Sequence, residues 1–171
     1  MVDLGCGWLI AAVDVRESRL AWHNHDQPRK SRSRVVMSQP LSRLNPPSLP
    51  NAAAIGYSQI TTVEPGRMAY VSGQVAVSVD GSPVPEDLVE QTRIVVRNLR
   101  AALAALGATA NDIVLLRIFA VDLRPETMDQ AFPVLLDMLD GAQPCITGVG
   151  VAALAATGLK IEVEMTVRIP D

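Results

Sequence analysis

The stretch "LKIEVEMTV", Leu159 to Val167, alternates apolar and polar residues without a break. Period-two alternation marks a strand with one buried and one open face. Leu159, Ile161, Val163, Met165 and Val167, extended by Ile169, fall on one side; Lys160, Glu162, Glu164, Thr166 and Arg168 fall on the other. The apolar side demands a layer to cover it. The polar side carries two carboxylates whose Cβ atoms should stand roughly 6–7 Å apart. Spacing alone leaves open whether they face water, a partner subunit or a substrate.

Working back along the chain, "CITGVGVAAL" (Cys145–Leu154) reads as a second strand, joined to the last by "AATG". "ETMDQAFPVLLDML" reads as a helix, apolar at Met128, Phe132, Leu135 and Leu139, with Pro133 expected to kink it or end its first half. "IVLLRIFAV", Ile113 to Val121, is an apolar run of strand length. "PEDLVEQTRIVVRNLRAALAALG" repeats apolar residues at three- and four-residue spacing, opened by Pro85 and two acids and closed by Gly107. Before it, "AYVSGQVAV" (Ala69–Val77) is a short strand interrupted by "SGQ", followed by a turn in which Asp80-Gly81 is a hairpin signal. Strands, helix, strand, helix and two strands make an α+β fold, with two helices packed on one face of a mixed sheet.

The chain has 171 residues, one domain's worth, and 49% of them are apolar, which places it among soluble globular proteins. Cys6 and Cys145 are too few and too far apart for a disulfide framework or a zinc site, and fit a reducing cytosol. The apolar run "LGCGWLIAAV" is too short to span a bilayer and lacks the flanks of a signal peptide, so a cytoplasmic location without membrane contact is expected.

Composition changes near Met37. Both tryptophans, both histidines (His23, His25) and the basic run "PRKSRSR" precede it. Residues 1–36 carry six Lys/Arg against four Asp/Glu, whereas residues 37–171 carry nine against fourteen. The reading is a mobile extension over residues 1–36, for which an unused upstream start would account, and one domain over residues 37–171. Two histidines without further ligands do not make a metal site.

Because that domain holds no histidine, Ser-His-Asp and Cys-His catalysis and histidine-metal sites are excluded. No glycine loop has the lysine needed to cradle a phosphate: "GVGVAAL" reads as strand. An acidic surface with few aromatics is the reverse of a nucleic-acid groove. What remains is carboxylate chemistry or simple binding.

Four stretches together, "AIGYSQ", "AYVSGQVAV", "QTRIVVRNLRAALAALGAT…DIVLLRIFAVDL" and "QPCITGVGVAALAATGLKIEVEMTV", resemble the RidA (YjgF) family, the reactive intermediate deaminases. The likeness covers about residues 45–169. It implies a chorismate-mutase-like fold and a homotrimer with small-molecule clefts between subunits. The implied chemistry is hydrolysis of enamine or imine intermediates such as 2-iminobutanoate to 2-oxo acids and ammonia, with no cofactor and no metal.

Carried over by position, Tyr57 of "GYSQ" belongs at the cleft wall, and Ser72 and Gly73 of "SGQ" offer a hydroxyl and backbone groups. Gln130 stands where active members often have asparagine. Glu162 matches the glutamate that orients or activates the attacking water, a role suited to a shielded carboxylate. Ile146 and Thr147 fall in the segment that meets the substrate, and here the chain departs from the pattern. Active members carry "P-A-R-S", whose arginine pairs with the substrate carboxylate, whereas this chain has Pro144-Cys145-Ile146-Thr147. Isoleucine offers neither charge nor donor, and losing such a charge-assisted pair costs about 1.5–3 kcal/mol. Arg117 and Arg124 are the nearest replacements. Three readings follow: a cleft for a small metabolite other than the usual 2-imino acids, an imine deaminase despite the substitution, or a non-enzymatic protein-binding module.

Overall fold

The structure is a computed structural model and describes residues 40–171. The extension expected over residues 1–36, with Cys6, His23, His25 and the basic run, lies outside the described residues.

Strands β1 (Leu41–Leu44) and β2 (Ile60–Val63) pair antiparallel as a small two-stranded sheet. The main sheet has four strands, β3 (Met68–Val75), β4 (Ile113–Val121), β5 (Cys145–Val151) and β6 (Ile161–Arg168), in the order β3-β6-β4-β5. β6 runs antiparallel to both neighbours and β4 runs parallel to β5, so the sheet is mixed. The parallel pair is bridged by a helix, α2 (Pro125–Leu139), and α1 (Leu88–Ala105) connects β3 to β4. Among the described residues no helix is long and apolar enough to cross a membrane.

The alternation in β6 does what its pattern demands. Ile161, Val163, Met165 and Val167 are buried, and they share a core with Leu116 and Ile118 of β4, Val95, Leu99 and Leu103 of α1, and Leu135 and Leu139 of α2. Both helices therefore cover the same sheet face, and Glu162, Glu164 and Thr166 are left half-buried on the other.

Asp87 opens α1 as its N-cap, its side chain accepting from the Glu90 N–H. Such a bond satisfies one of the donors that a helix start leaves unpaired. Asp87→Ala should lower stability by about 1 kcal/mol, measurable as a shift in the urea midpoint at unchanged slope.

Three expectations need correction, and one pair of strands was not expected. Asp80-Gly81 does form a turn, with the Gly81 N–H donating to the Ser78 carbonyl and a left-handed φ of +76° at Gly81. It leads into α1, however, and not into a returning strand; the partner of β3 is β6. Pro133 lies inside α2 without ending it, because the apolar stripe on both sides of it packs into one core. Arg168 is on the polar side of β6 but is buried, 5% exposed, and reaches Asp171 at 3.1 Å and the Ile169 carbonyl at 3.3 Å. The β1–β2 pair had no counterpart in the sequence reading, since "LSRL" and "ITTV" are too short to show a period.

Candidate functional site

The residues singled out from sequence fall into two groups, one on each side of the main sheet.

The first group lies on the open face. Glu162 stands in β6 between Val75 of β3 and Phe119 of β4. The register of β3 against β6 jumps from Val71↔Met165 to Gln74↔Val163, so Ser72 and Gly73 together oppose the single residue Glu164. That is a β-bulge, the device by which a strand re-aims its groups. It explains why "SGQ" interrupts an otherwise apolar strand. A Cβ at position 73 would lie 1.9 Å from Glu162 Oε1, 2.4 Å from its Cδ and 2.7 Å from its Cγ. The Glu162 side chain thus rests flat on the Gly73 backbone in space that only glycine leaves.

Glu164 has a different environment. Its Oε2 is 3.5 Å from Arg117 NH1 of β4, an ion pair exposed at both ends. Pairs of that kind contribute about 0–1 kcal/mol, so Glu164 is oriented and its charge offset, with little effect on stability. Ser72, Tyr70, Arg117, Glu164 and Thr166 border a depression of about 270 Å³. Thr147 is exposed beside Arg117, in register with it, and therefore belongs to this face too.

The second group lies on the helix side. Ile146 is in register with Leu116, a core residue, so its side chain points away from Glu162 and packs at the margin of the core. It borders a cavity of about 400 Å³ whose walls are Ile55 and Tyr57, Ile146 and Gly148 of β5, and Met128, Asp129, Phe132 and Pro133 of α2. The Ser58 N–H donates to the Pro144 carbonyl at 3.0 Å, which clamps the residue after Tyr57 to the residue before β5. Gly56 has φ +96°, and a Cβ there would come within 2.7 Å of Leu136 Cδ2. That close approach seats the Tyr57 segment against α2.

The structure thus brings Tyr57 to Ile146, Glu162 to Gly73, and Ser72 to Glu164, but puts the first pair and the other two on opposite faces of one sheet. Gln130 joins neither: it is exposed on α2 and does not border the cavity. Asp129 does. Neighbours on a helix point about 100° apart, so a one-residue offset moves a side chain onto a different face. The sequence signal for Asp129 existed, as an acid one position after Met128 on the apolar stripe, but no spacing rule favoured it over Gln130. Within one chain neither arginine borders the Ile146 cavity: Arg117 is paired with Glu164 on the open face, and Arg124, whose pKa the neighbouring Asp122 carboxylate raises, is paired with Asp122. Cys145 sits with its Sγ 3.3 Å from Thr61 Oγ1, tying β5 to β2. A separate groove of about 470 Å³ runs between α1 and α2, lined by Arg93, Arg97 and Arg100, and contains none of the residues expected at the site.

Comparison with known proteins agrees with this architecture. The family model described as Endoribonuclease L-PSP matches residues 48–169. The chain is 36% identical over 111 residues to the RutC family protein YjgH of Escherichia coli K12, covering 64% of this chain and 81% of that protein. It is 29% identical over 103 residues to TdcF of the same strain, provisionally named a reactive intermediate deaminase, covering 60% and 79%. Among solved structures, a conserved Rid family protein, YyfB from Yersinia pestis, superposes with a TM-score of 0.71 at 32% identity, over 76% of this chain and 99% of that one. RidA from the Antarctic bacterium Psychrobacter sp. PAMC 21119 superposes with a TM-score of 0.56 at 29% identity, over 66% and 88%. Matched over most of its length, and built on the same mixed sheet backed by two helices, the chain belongs to the endoribonuclease L-PSP family, also called the RidA or YjgF family.

Proposed function

We propose that the chain forms a homotrimer whose inter-subunit clefts bind a small imine or related metabolite and hydrolyse it, with Glu162 as the base that activates water. The observation that carries this reading is the division of the site between the two faces of the sheet. Tyr57 and Ile146 border a cavity on one side, and Glu162, Gly73 and Ser72 stand on the other. Each half is formed within one chain, and only a second copy can bring the two together around one ligand. The partial match to a protein named as a reactive intermediate deaminase supports the reaction class. Absence of any histidine from residues 37–171 leaves a carboxylate as the available base at neutral pH.

Ile146 shapes the substrate. The usual 2-imino acids need a cation for their carboxylate, and this cavity offers an alkyl side chain at that position. The natural substrate therefore lacks that carboxylate or does not depend on it.

The test is hydrolysis of 2-iminobutanoate generated in situ, followed as ammonia or 2-oxobutanoate release. The wild-type protein should be slow on this substrate. Ile146→Arg should accelerate it by about tenfold or more through a charge-assisted pair. Glu162→Gln in that background should remove at least about a hundredfold of the gain. Release no faster than buffer in both wild type and Ile146→Arg would rule out 2-imino acids as substrates and the role given to Ile146; release no faster than buffer from a carboxylate-free imine as well would end the hydrolase reading. A monomer at all concentrations in sedimentation would end the shared-cleft reading.

A further inference from the structure

The residues around the Tyr57–Ile146 cavity carry a charge of their own, and it is negative. Ile55, Met128, Phe132 and Ile146 make the walls apolar, and Asp129 is the one charged side chain among the described residues that border it. Among the described residues no lysine, arginine or histidine lines it. The two arginines considered as replacements for the missing cation are paired with acids of their own, Arg124 with Asp122 and Arg117 with Glu164, and Arg93, Arg97 and Arg100 line the neighbouring groove, which shares only Pro133 with this cavity.

A second acceptor arises from the helix. Pro133 lies inside α2 and has no N–H, so the helical hydrogen bond to the Asp129 carbonyl cannot form. Asp129 and Pro133 both border the cavity, and a backbone acceptor is freed on the turn between them. A carboxylate and a carbonyl on one helical turn make a receptor for a donor, best one bearing positive charge. The rings of Phe132 and Tyr57 add faces that attract a cation at short range. From the described residues that border the cavity within one chain an anionic ligand gains no counter-charge, and Asp129 repels it. The volume, about 400 Å³, is within the range of small-ligand pockets.

We propose that this cavity selects a small ligand with an apolar body and a positively charged nitrogen, a protonated amine or iminium, without a carboxylate. The inference rests on the reading of this cavity as the small-molecule site and specifies its ligand class. Ile146 removes the attraction for a carboxylate, and Asp129 supplies the attraction for a cation. Both features act in the same direction.

The experiment is a titration of the full chain, by NMR or calorimetry at neutral pH, with benzylamine, benzamide and benzoate, which share one apolar body and differ in charge. Benzylamine should bind about three- to tenfold more tightly than benzoate, a modest factor because Asp129 is exposed. Asp129→Asn should abolish the preference, and Gln130→Ala, one residue away and outside the cavity, should keep it. Equal or tighter binding of benzoate, or a preference that survives Asp129→Asn, would overturn the proposal while leaving the cavity a binding site. Failure of all three probes to bind saturably would overturn the cavity reading itself, and this inference with it.

Discussion

If the chain hydrolyses imines as proposed, replacing Gly73 with alanine should cut that activity by about a hundredfold or more while the protein stays folded. The added methyl would stand 1.9 Å from Glu162 Oε1 and 2.7 Å from its Cγ. No adjustment of the carboxylate alone relieves a contact that reaches Cγ, so the whole side chain must leave its rotamer. A glutamate on a half-exposed sheet face can do so at small cost, about 0.5–1.5 kcal/mol. The folded state therefore survives, and the position of the base does not. The urea midpoint should move little, whereas activity should fall about as far as in Glu162→Gln. The double variant should be no worse than either single one, since both act through the same carboxylate. An active Gly73→Ala protein would show that Glu162 is not the base. If instead the alanine variant fails to fold, the bulge is a folding element, and Glu162→Gln, which adds no atoms beside Gly73, tests the base on its own.

Gln91 should matter more to stability than any other polar side chain of α1. It is 0% exposed, and its amide is satisfied at both ends. The Nε2 group donates to the carbonyls of Pro85 and Gly158, each at 2.7 Å, and the Oε1 atom accepts from the Lys160 N–H at 2.8 Å. One side chain thus fastens the entry to α1 and the turn ahead of β6. Gln91→Leu keeps the approximate volume but strands two carbonyls and one N–H. Each unsatisfied group costs about 1–3 kcal/mol, and some will find water. A loss of about 3 kcal/mol is expected, a substantial share of a typical domain's 5–15 kcal/mol. It would appear as a large fall in melting temperature. A shift under 1 kcal/mol would show that the 158–160 turn re-forms its bonds elsewhere.

Gln91 also marks a limit of sequence reading. On the helical pattern it lies beside Leu88 and Thr92, and a glutamine there reads as the polar edge of the stripe. What buries it is the turn before β6, some seventy residues on, which takes two of its three hydrogen bonds, through the Gly158 carbonyl and the Lys160 N–H. Asp129 is similar. Its relevance depends on which face of α2 the Tyr57 segment covers, and that is set by Gly56 against Leu136. Arg168 reads as surface from its place in the alternation, yet the chain end folds over it and brings Asp171.

Local pattern alone determined a good deal of this protein. The alternation of β6, the apolar run of β4 and the helical stripes of α1 and α2 follow from period and composition, because burying one face is the dominant demand on each element. The motif "SGQ" and the pair Glu162/Glu164 stood out because they break or complement that pattern, and only the resemblance to the RidA family gave them a place at a cleft. Only the tertiary structure decided that Gly73 leaves room for Glu162, that Glu164 and not Glu162 is paired with Arg117, and that Ile146 and Glu162 face opposite ways. Those facts depend on strand register and on a one-residue bulge. Register is a property of two strands together, and a slip of one residue exchanges the faces.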